Sequence, residues 1–346
     1  MKRKKNKKYP KVSILITHKN GKKILDGCLN SLRKTNYPNF EILVLLNATT
    51  DKSPDIAKKH KVKVYKSEKN LGFAGGNNFL IRRTDSEYIV IMNNDVEVDK
   101  NWLKELVNFA ERTDADGVQP KILSLRNKKM FEYAGAAGGF IDKYGYPFCR
   151  GRIFNEIEMD KGQYNSPVEI FWACGACMMI KREILKKTGI LDEDFFMYGE
   201  ELDLCWRINL VGGKIFNVPS SVVYHLGKYS IKKEKLAIEQ QYLLHRNVLL
   251  MFLKNYSNKT LIRLIFPRIF LEVSSALAFP EKIYPVAKSF IWIAKNLDKI
   301  KNKHKEIQKL RKLNDEEIQK RILKKSIAYL FFIKNKKTFR DIEKNF

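Results

Sequence analysis

The chain has 346 residues, 44% of them hydrophobic and 12% aromatic, with a formal net charge of +28. That length and apolar content exclude a disordered chain and suit one large domain with an appendage, or two smaller domains. The charge asks for an anionic partner or surface and is concentrated in two tails. Residues 1–11 carry seven Lys or Arg and no acid, and residues 295–346 carry 17 basic against seven acidic residues. Such tails suit a membrane-surface anchor, a nucleic-acid anchor or an ordinary solvated helix.

Five cysteines (Cys28, Cys149, Cys174, Cys177 and Cys205), odd in number and scattered through apolar segments, point to a reducing compartment and buried thiols. Cys174 and Cys177 have CxxC spacing but no second such pair, so packing of small residues is expected there. The basic N-terminus runs straight into a strand with no apolar leader between them. No segment reaches the roughly 18 apolar residues of a membrane span. The stretch closest to one, residues 261–279, is broken by Arg263, Pro267, Arg268 and Glu272. A cytoplasmic protein is expected, extending to the cytoplasmic face of the membrane if residues 262–293 lie on the lipid rather than pack on the core.

In chain order, residues 12–17 predict a strand, 22–35 an amphipathic helix, 40–46 a strand, 54–60 a helix opened by proline and 62–65 a strand. This alternation reads as βαβ units around a parallel sheet. Asn70-Leu-Gly-Phe-Ala-Gly-Gly-Asn-Asn78 then opens a helix, and its glycines would let backbone amides and a helix N-terminus approach a phosphate. Residues 88–92 predict a strand buried on both faces that ends on Asn93-Asn94-Asp95, and a helix follows over 102–112. Residues 117–170, rich in Gly, read as loops and hairpins. A helix over 182–188, an acidic and aromatic stretch over 192–206 and strands over 214–218 and 222–227 come next. A helix is predicted over 232–254, and the remainder reads as a helical, basic extension.

Three polar features each follow an apolar segment: Asp95, the cluster Glu200, Glu201 and Asp203, and His225. Carboxylate and imidazole with open positions suit an octahedral Mn²⁺ or Mg²⁺. Adjacent Glu200 and Glu201 at a helix start point about 100° apart, so one can act as base while the other orients it. Taken singly, Asp95 also reads as a turn or cap, His225 as a strand-end histidine, and the acids as a favourable first helical turn.

In order and spacing these motifs, with residues 12–17, Asn20-Gly21, 47–51, 172–180 and Phe196-Met-Tyr-Gly-Glu-Glu-Leu-Asp-Leu-Cys-Trp-Arg207, resemble family 2 glycosyltransferases of the GT-A fold, especially their rhamnosyltransferase-like branch. The resemblance covers roughly residues 11–255. It implies an α/β fold with a Rossmann-like, mostly parallel sheet flanked by helices, and a helical C-terminal extension. The divisions it implies are a tail over 1–11, a transferase domain over 12–230 (nucleotide half 12–116, acceptor half 117–230) and an extension over 231–346. It further implies an inverting transfer from a nucleotide diphospho-sugar to a polysaccharide or lipid-linked glycan, with Mn²⁺ or Mg²⁺.

Carried over by position, Asp95 and His225 are the metal ligands, Glu201 is the base, and Glu200 and Asp203 are its catalytic neighbours. Thr17, Asn20, Asn47, Asn70, Gly76, Asn77, Asn93 and Asn94 surround the donor, and Trp172 and Tyr198 the acceptor. Arg246 of a family Arg-Asn pair either reaches the diphosphate or lies on a helix surface. Two positions depart from the family pattern: Leu46 replaces an Asp that helps recognise the base, and Glu201 replaces Asp as the catalytic base. A sugar nucleotidyltransferase is the rival enzyme, but His18-Lys19-Asn20-Gly21 fits its glycine-rich signature poorly. No nucleic-acid partner is expected, because the basic residues sit in tails without a patterned aromatic patch.

Overall fold

The computed structural model describes residues 9–227 and 234–346. The first eight residues of the basic tail and the expected helix start at residue 232 lie outside the described residues. β1 (Val12–His18), α1 (Lys22–Leu32), β2 (Phe40–Asn47), α2 (Ser53–Lys59), β3 (Lys63–Ser67), α3 (Gly72–Ile81) and β4 (Tyr88–Met92) alternate as the sequence predicts. β4 is buried along its whole length and β1 everywhere but Thr17, which is why both read as continuous apolar runs.

Parallel pairing gives the order β3-β2-β1-β4. The chain winds outward from β1 to β3 and then crosses to the other side of β1. That reversal opens a crevice at the carboxyl ends of β1 and β4, where sheets of this kind bind ligands. Ile16 pairs with Met92, so Asn93-Asn94 leave the sheet beside Thr17-His18 at the end of β1.

β5 (Val96–Val98), α4 (Trp102–Thr113) and β6 (Gly117–Ser124) follow. Residues 117–124, read from sequence as part of a loop region, form a buried core strand. Gln119 and Lys121 hide it by breaking the apolar pattern, yet both are buried with partners. Gln119 Oε1 accepts from Cys174 N at 2.8 Å, and Lys121 Nζ meets Asp160 at 2.7 Å. The expected hairpins appear beyond it: β7 (Gly139–Ile141), β8 (Pro147–Cys149), β9 (Arg152–Ile153) and β10 (Glu156–Ile157) form a small antiparallel sheet.

β11 (Val168–Glu169), β12 (Cys177–Lys181), α5 (Arg182–Thr188), α6 (Glu200–Leu210) and β13 (Ile215–His225) complete the core. β12 runs antiparallel to β4 and β6, whereas β6 and β13 are parallel. The two strands expected over 214–227 are one, with an irregularity between Val218 and Val222 where Pro219 has no N–H to give the ladder. All five cysteines are buried free thiols.

The C-terminal region is helical: α7 (Glu234–Asn255), α8 (Asn258–Ala278), α9 (Ile283–Lys295), α10 (Leu297–Leu310), α11 (Asp315–Gln319) and α12 (Phe339–Ile342). Its last part folds back on the small sheet. Leu323 N donates to Ile141 O at 2.9 Å, and the rings of Phe339 and Phe331 lie 5.0 and 4.8 Å from those of Phe140 and Phe154. Among the described residues no helix is long and apolar enough to cross a membrane.

A Cβ added at Gly139 would stand 2.1 Å from Trp172 Cε2, against a ring whose Nε1 donates to Phe140 O. Gly139→Ala is expected to destabilise the fold by about 1–3 kcal/mol through overpacking, read as a lower midpoint in urea unfolding.

Candidate active site

Antiparallel pairing of β5 with the end of β13 sets His225 opposite Val96, the residue after Asp95. His225 Nε2 stands 3.1 Å from Asp95 Oδ1 and 3.3 Å from Asn93 Nδ2. On the other side of the ring, Nδ1 faces Glu132 Oε1 at 3.9 Å and has no hydrogen-bond partner. Burial alone would lower the His225 pKa, but the Asp95 hydrogen bond and charge, with Glu132 behind, hold it above the ordinary histidine value. Burial pushes the Glu132 carboxyl up. Sequence reading missed Glu132, whose only mark was an acid between Phe131 and Tyr133 in a glycine-rich region.

Two donors held cis on an octahedral cation at roughly 2.1 Å each lie about 3 Å apart, so the Asp95–His225 spacing fits Mn²⁺ or Mg²⁺. Among the described residues no group of three or more His, Cys, Asp or Glu could hold a metal. Asp95 and His225 are thus the residues placed to hold a cation here, with its other positions open.

At the neighbouring strand end, His18 is buried, with Nδ1 2.6 Å from Asn94 Nδ2 and Nε2 2.8 Å from Ser53 Oγ. Burial pushes its pKa down to about 4, so the ring is neutral at pH 7 and its Nδ1 accepts from the Asn94 amide. Asn20 closes the adjoining loop by accepting from Thr50 N at 2.9 Å.

The glycine-rich segment faces the protein. Leu71 N donates to Asn47 Oδ1 at 2.9 Å and Gly72 N to Asn70 Oδ1 at 3.0 Å. Phe73 N and Ala74 N donate to Phe196 O at 2.7 and 3.2 Å. The start of α3, expected to receive a phosphate, thus has its amides occupied by protein acceptors. Gly76 allows α3 to lie on β1, since a Cβ there would stand 2.5 Å from Thr17 Cγ2. Asn77 donates to Phe73 O at 2.9 Å. Asn47, Gly76 and Asn77 are buried, whereas Thr17, Asn20, Asn70, Asn93 and Asn94 keep exposed surface.

α6 begins with Glu200 after a left-handed turn: φ is 61° at Phe196, 71° at Tyr198 and 88° at Gly199. Non-glycine residues resist that region, and here it is enforced from outside. Phe196 O is held by the start of α3. From α7, Asn247 Nδ2 donates to the carbonyls of Phe195, Met197 and Tyr198 at 2.9, 2.9 and 2.6 Å. Arg246 donates to Asp194 O and Phe195 O at 2.8 and 2.9 Å and lies 4.7 Å from the Trp292 ring centroid. Arg246 is therefore a buried clamp on this loop, neither a surface residue nor one directed at a diphosphate.

Glu200 is buried with Oε2 unpartnered, and Glu201 is half-buried with Oε2 accepting from Gly199 N at 3.1 Å. Burial raises the pKa of both, and the Glu201 charge raises Glu200 further. Tyr198, just ahead of them, is half-buried. Trp172, expected at the acceptor, is instead a core residue wedged against Gly139. One turn joins this carboxylate pair to the Asp95–His225 pair: Asn93 N donates to Ala176 O at 3.0 Å, and a Cβ on Gly175 would lie 3.8 Å from Glu201 Cδ.

Asp203, expected beside the chemistry, is fully buried and bound by Lys254 at 2.9 Å, Arg207 at 3.1 Å and Asn255 at 2.9 Å. Burial opposes its ionisation, but Lys254 and Arg207 hold the carboxyl below the ordinary Asp range. Lys254 also pairs with Asp192 at 2.5 Å. Asp203 thereby ties α6 to α7 instead of facing a ligand.

In fold the chain is similar to two solved glycosyltransferases. A mannosyltransferase from Pyrobaculum calidifontis, solved with GDP-Man and Mn²⁺, superposes with a TM-score of 0.51 at 13% identity over 84% of this chain and 76% of its own. GalNAc-T7, solved with UDP, GalNAc and Mn²⁺, gives 0.59 at 16% identity over 95% of this chain and 57% of its own. The architecture is the GT-A fold, carrying a helical C-terminal region. Residues 13–189, just over half of the chain, match the model of glycosyl transferase family 2, and the chain belongs to that family.

It is 27% identical over 229 residues, 62% of the chain, to an O-antigen biosynthesis protein of Myxococcus xanthus. Over 172 residues, 48% of the chain, it is 27% identical to a low-salt glycan biosynthesis hexosyltransferase of Haloferax volcanii. An N-acetylglucosaminyl-diphospho-decaprenol L-rhamnosyltransferase of Mycobacterium tuberculosis is 22% identical over 61% of the chain and 74% of its own length. The matches span 17% of the Myxococcus protein and 52% of the Haloferax protein.

Asn247→Ala removes the donor for three loop carbonyls and is expected to destabilise the protein by about 1–3 kcal/mol in urea unfolding. Lys254→Met takes one cation from buried Asp203, which keeps Arg207, and from partly buried Asp192, which keeps Lys303, and should cost up to about 3–5 kcal/mol at pH 7. In the folded wild type Asp192 and Asp203 titrate below the ordinary 3.8, so their contribution is present above that value and lost as pH falls through the folded pKa values. The Lys254→Met deficit should therefore narrow as unfolding is measured at progressively lower pH, because protonated carboxyls need no cation.

Proposed function

We propose that this enzyme moves a sugar from a nucleotide diphospho-sugar to a hydroxyl of a glycan or lipid-linked acceptor, inverting the anomeric centre in a single displacement. The observation that carries the reading is the 174–176 turn, which has a cation-sized Asp95–His225 pair on one side and the raised Glu201 carboxyl on the other. Asp95 and His225 would hold Mn²⁺ or Mg²⁺. A bound cation would supply charge neutralisation for the departing diphosphate. Asn93 and Asn94, oriented by His225 and His18, line the donor edge with Thr17 and Asn20.

Glu201 takes the acceptor proton. Burial keeps its pKa above the ordinary Glu value, which brings the base closer to neutral pH and strengthens it. Glu200, more deeply buried beside it, holds its proton more tightly and leaves Glu201 as the base, and half-buried Tyr198 offers an aromatic surface for the acceptor sugar. Asp203 acts through α6 as a positioning residue. Five free thiols agree with a cytoplasmic site of action. The acceptor class is supported by relatives named for O-antigen, glycan and polyprenol-linked sugar synthesis.

Release of nucleoside diphosphate from a panel of nucleotide sugars with Mn²⁺ or Mg²⁺ tests the reading. Glu201→Gln should lower transfer at least about 100-fold while retaining donor binding, and Asp95→Ala should abolish metal-dependent donor binding. Wild-type transfer should fall as pH drops through a value above 4.5, the deprotonated carboxylate being the active form. Full transfer by Glu201→Gln, or no donor turned over with either metal, would overturn the mechanism.

A further inference from the structure

α8 is built inside out. Its inward positions, repeating every four residues, are Thr260, Leu264, Arg268, Glu272 and Ala276. Its outward positions are Ile262, Phe266, Phe270, Val273 and Leu277, spaced by three and four so that they share one face. Four of these are more than two-thirds exposed: Ile262 74%, Phe266 78%, Phe270 70% and Leu277 73%. The stripe runs about 22 Å along the helix. Large apolar side chains in a contiguous exposed row mark an interaction surface.

The helix cannot hide this row by rotating. Arg268 pairs with Glu272 at 2.6 Å and stacks 4.0 Å from the Tyr146 ring centroid, and Glu272 meets His245 of α7 at 2.6 Å. Rolling the apolar row inward would break this buried network and bring a charged pair to the surface. The outward direction of the row is therefore fixed by polar contacts on the other side.

We propose that the outward face of α8 docks on the surface of an anionic lipid bilayer. Charge selects this occupant. Lys259 and Arg263 stand exposed near the start of the row, Lys282 and Lys295 follow on the next turn and helix, and between residues 258 and 295 the one exposed acid is Glu281. An apolar row flanked by cations matches the acyl boundary and acidic headgroups of such a surface. A second copy of the chain would instead bring two +28 molecules together. The inference rests on the transferase reading only for the lipid-linked acceptor it would suit; binding needs no turnover and is measured separately.

Co-sedimentation of the full chain with phosphatidylcholine vesicles, with and without phosphatidylglycerol, tests it. The wild type should sediment with the anionic vesicles, and less so as salt is raised. The double variant Phe266→Ser/Phe270→Ser should lower the bound fraction about tenfold, with unchanged circular dichroism and unchanged nucleoside diphosphate release in solution. Equal binding of variant and wild type would assign attraction to the basic segments alone and overturn the proposal. So would no binding at all, or a wild-type dimer in analytical ultracentrifugation that the double variant dissociates. Loss of vesicle binding with intact turnover removes only this surface; loss of turnover with intact binding removes only the chemistry.

Discussion

The site depends on a three-residue strand. β5 has little stability of its own, yet its pairing with the last residues of β13 brings Asp95 against His225 across 130 residues of sequence. The long β13 reaches that far because it continues past Pro219, sacrificing ladder regularity between Val218 and Val222 to keep its partnership with β6. Once His225 is in place, Asn93 and Glu132 acquire a fixed neighbour, and the carboxyl end of β4 stops being an ordinary turn.

The second dependency runs through α7. The loop ahead of α6 holds two non-glycine residues in left-handed conformations, and Asn247 and Arg246 keep them there with five hydrogen bonds to its backbone. The same helix supplies Lys254 to Asp203. The C-terminal region thus belongs to the candidate site as well as to the scaffold, since it holds the backbone ahead of α6 and the side of the helix that presents Glu200 and Glu201.

Much of this was legible in the residues. β1, β4 and the second half of β2 are buried and so advertise themselves as apolar runs, and Asp95, His225 and the Glu pair stand out by following such segments. β6 was not legible because its core positions include Gln119 and Lys121, whose partners come from residues 160–174. Glycines and asparagines of the 70–78 segment suggested a phosphate cradle, but sequence cannot tell a free amide from one capped by the carbonyl of Phe196. For Asp203 and Trp172 the pattern was equally silent, since a buried ion pair and a core indole carry the same letters as a catalytic acid and a stacking platform.

The two glutamates at the start of α6 have a thermodynamic consequence for the whole fold. Both bind their protons more tightly in the folded protein than in the unfolded chain, so the pair favours folding at acid pH and that contribution is lost as pH rises through the folded-state pKa values. Ionisation of either carboxyl opposes folding. The ion pairs of Asp203 with Lys254 and Arg207, farther along the same helix, tie that end to the rest of the fold and offset this cost.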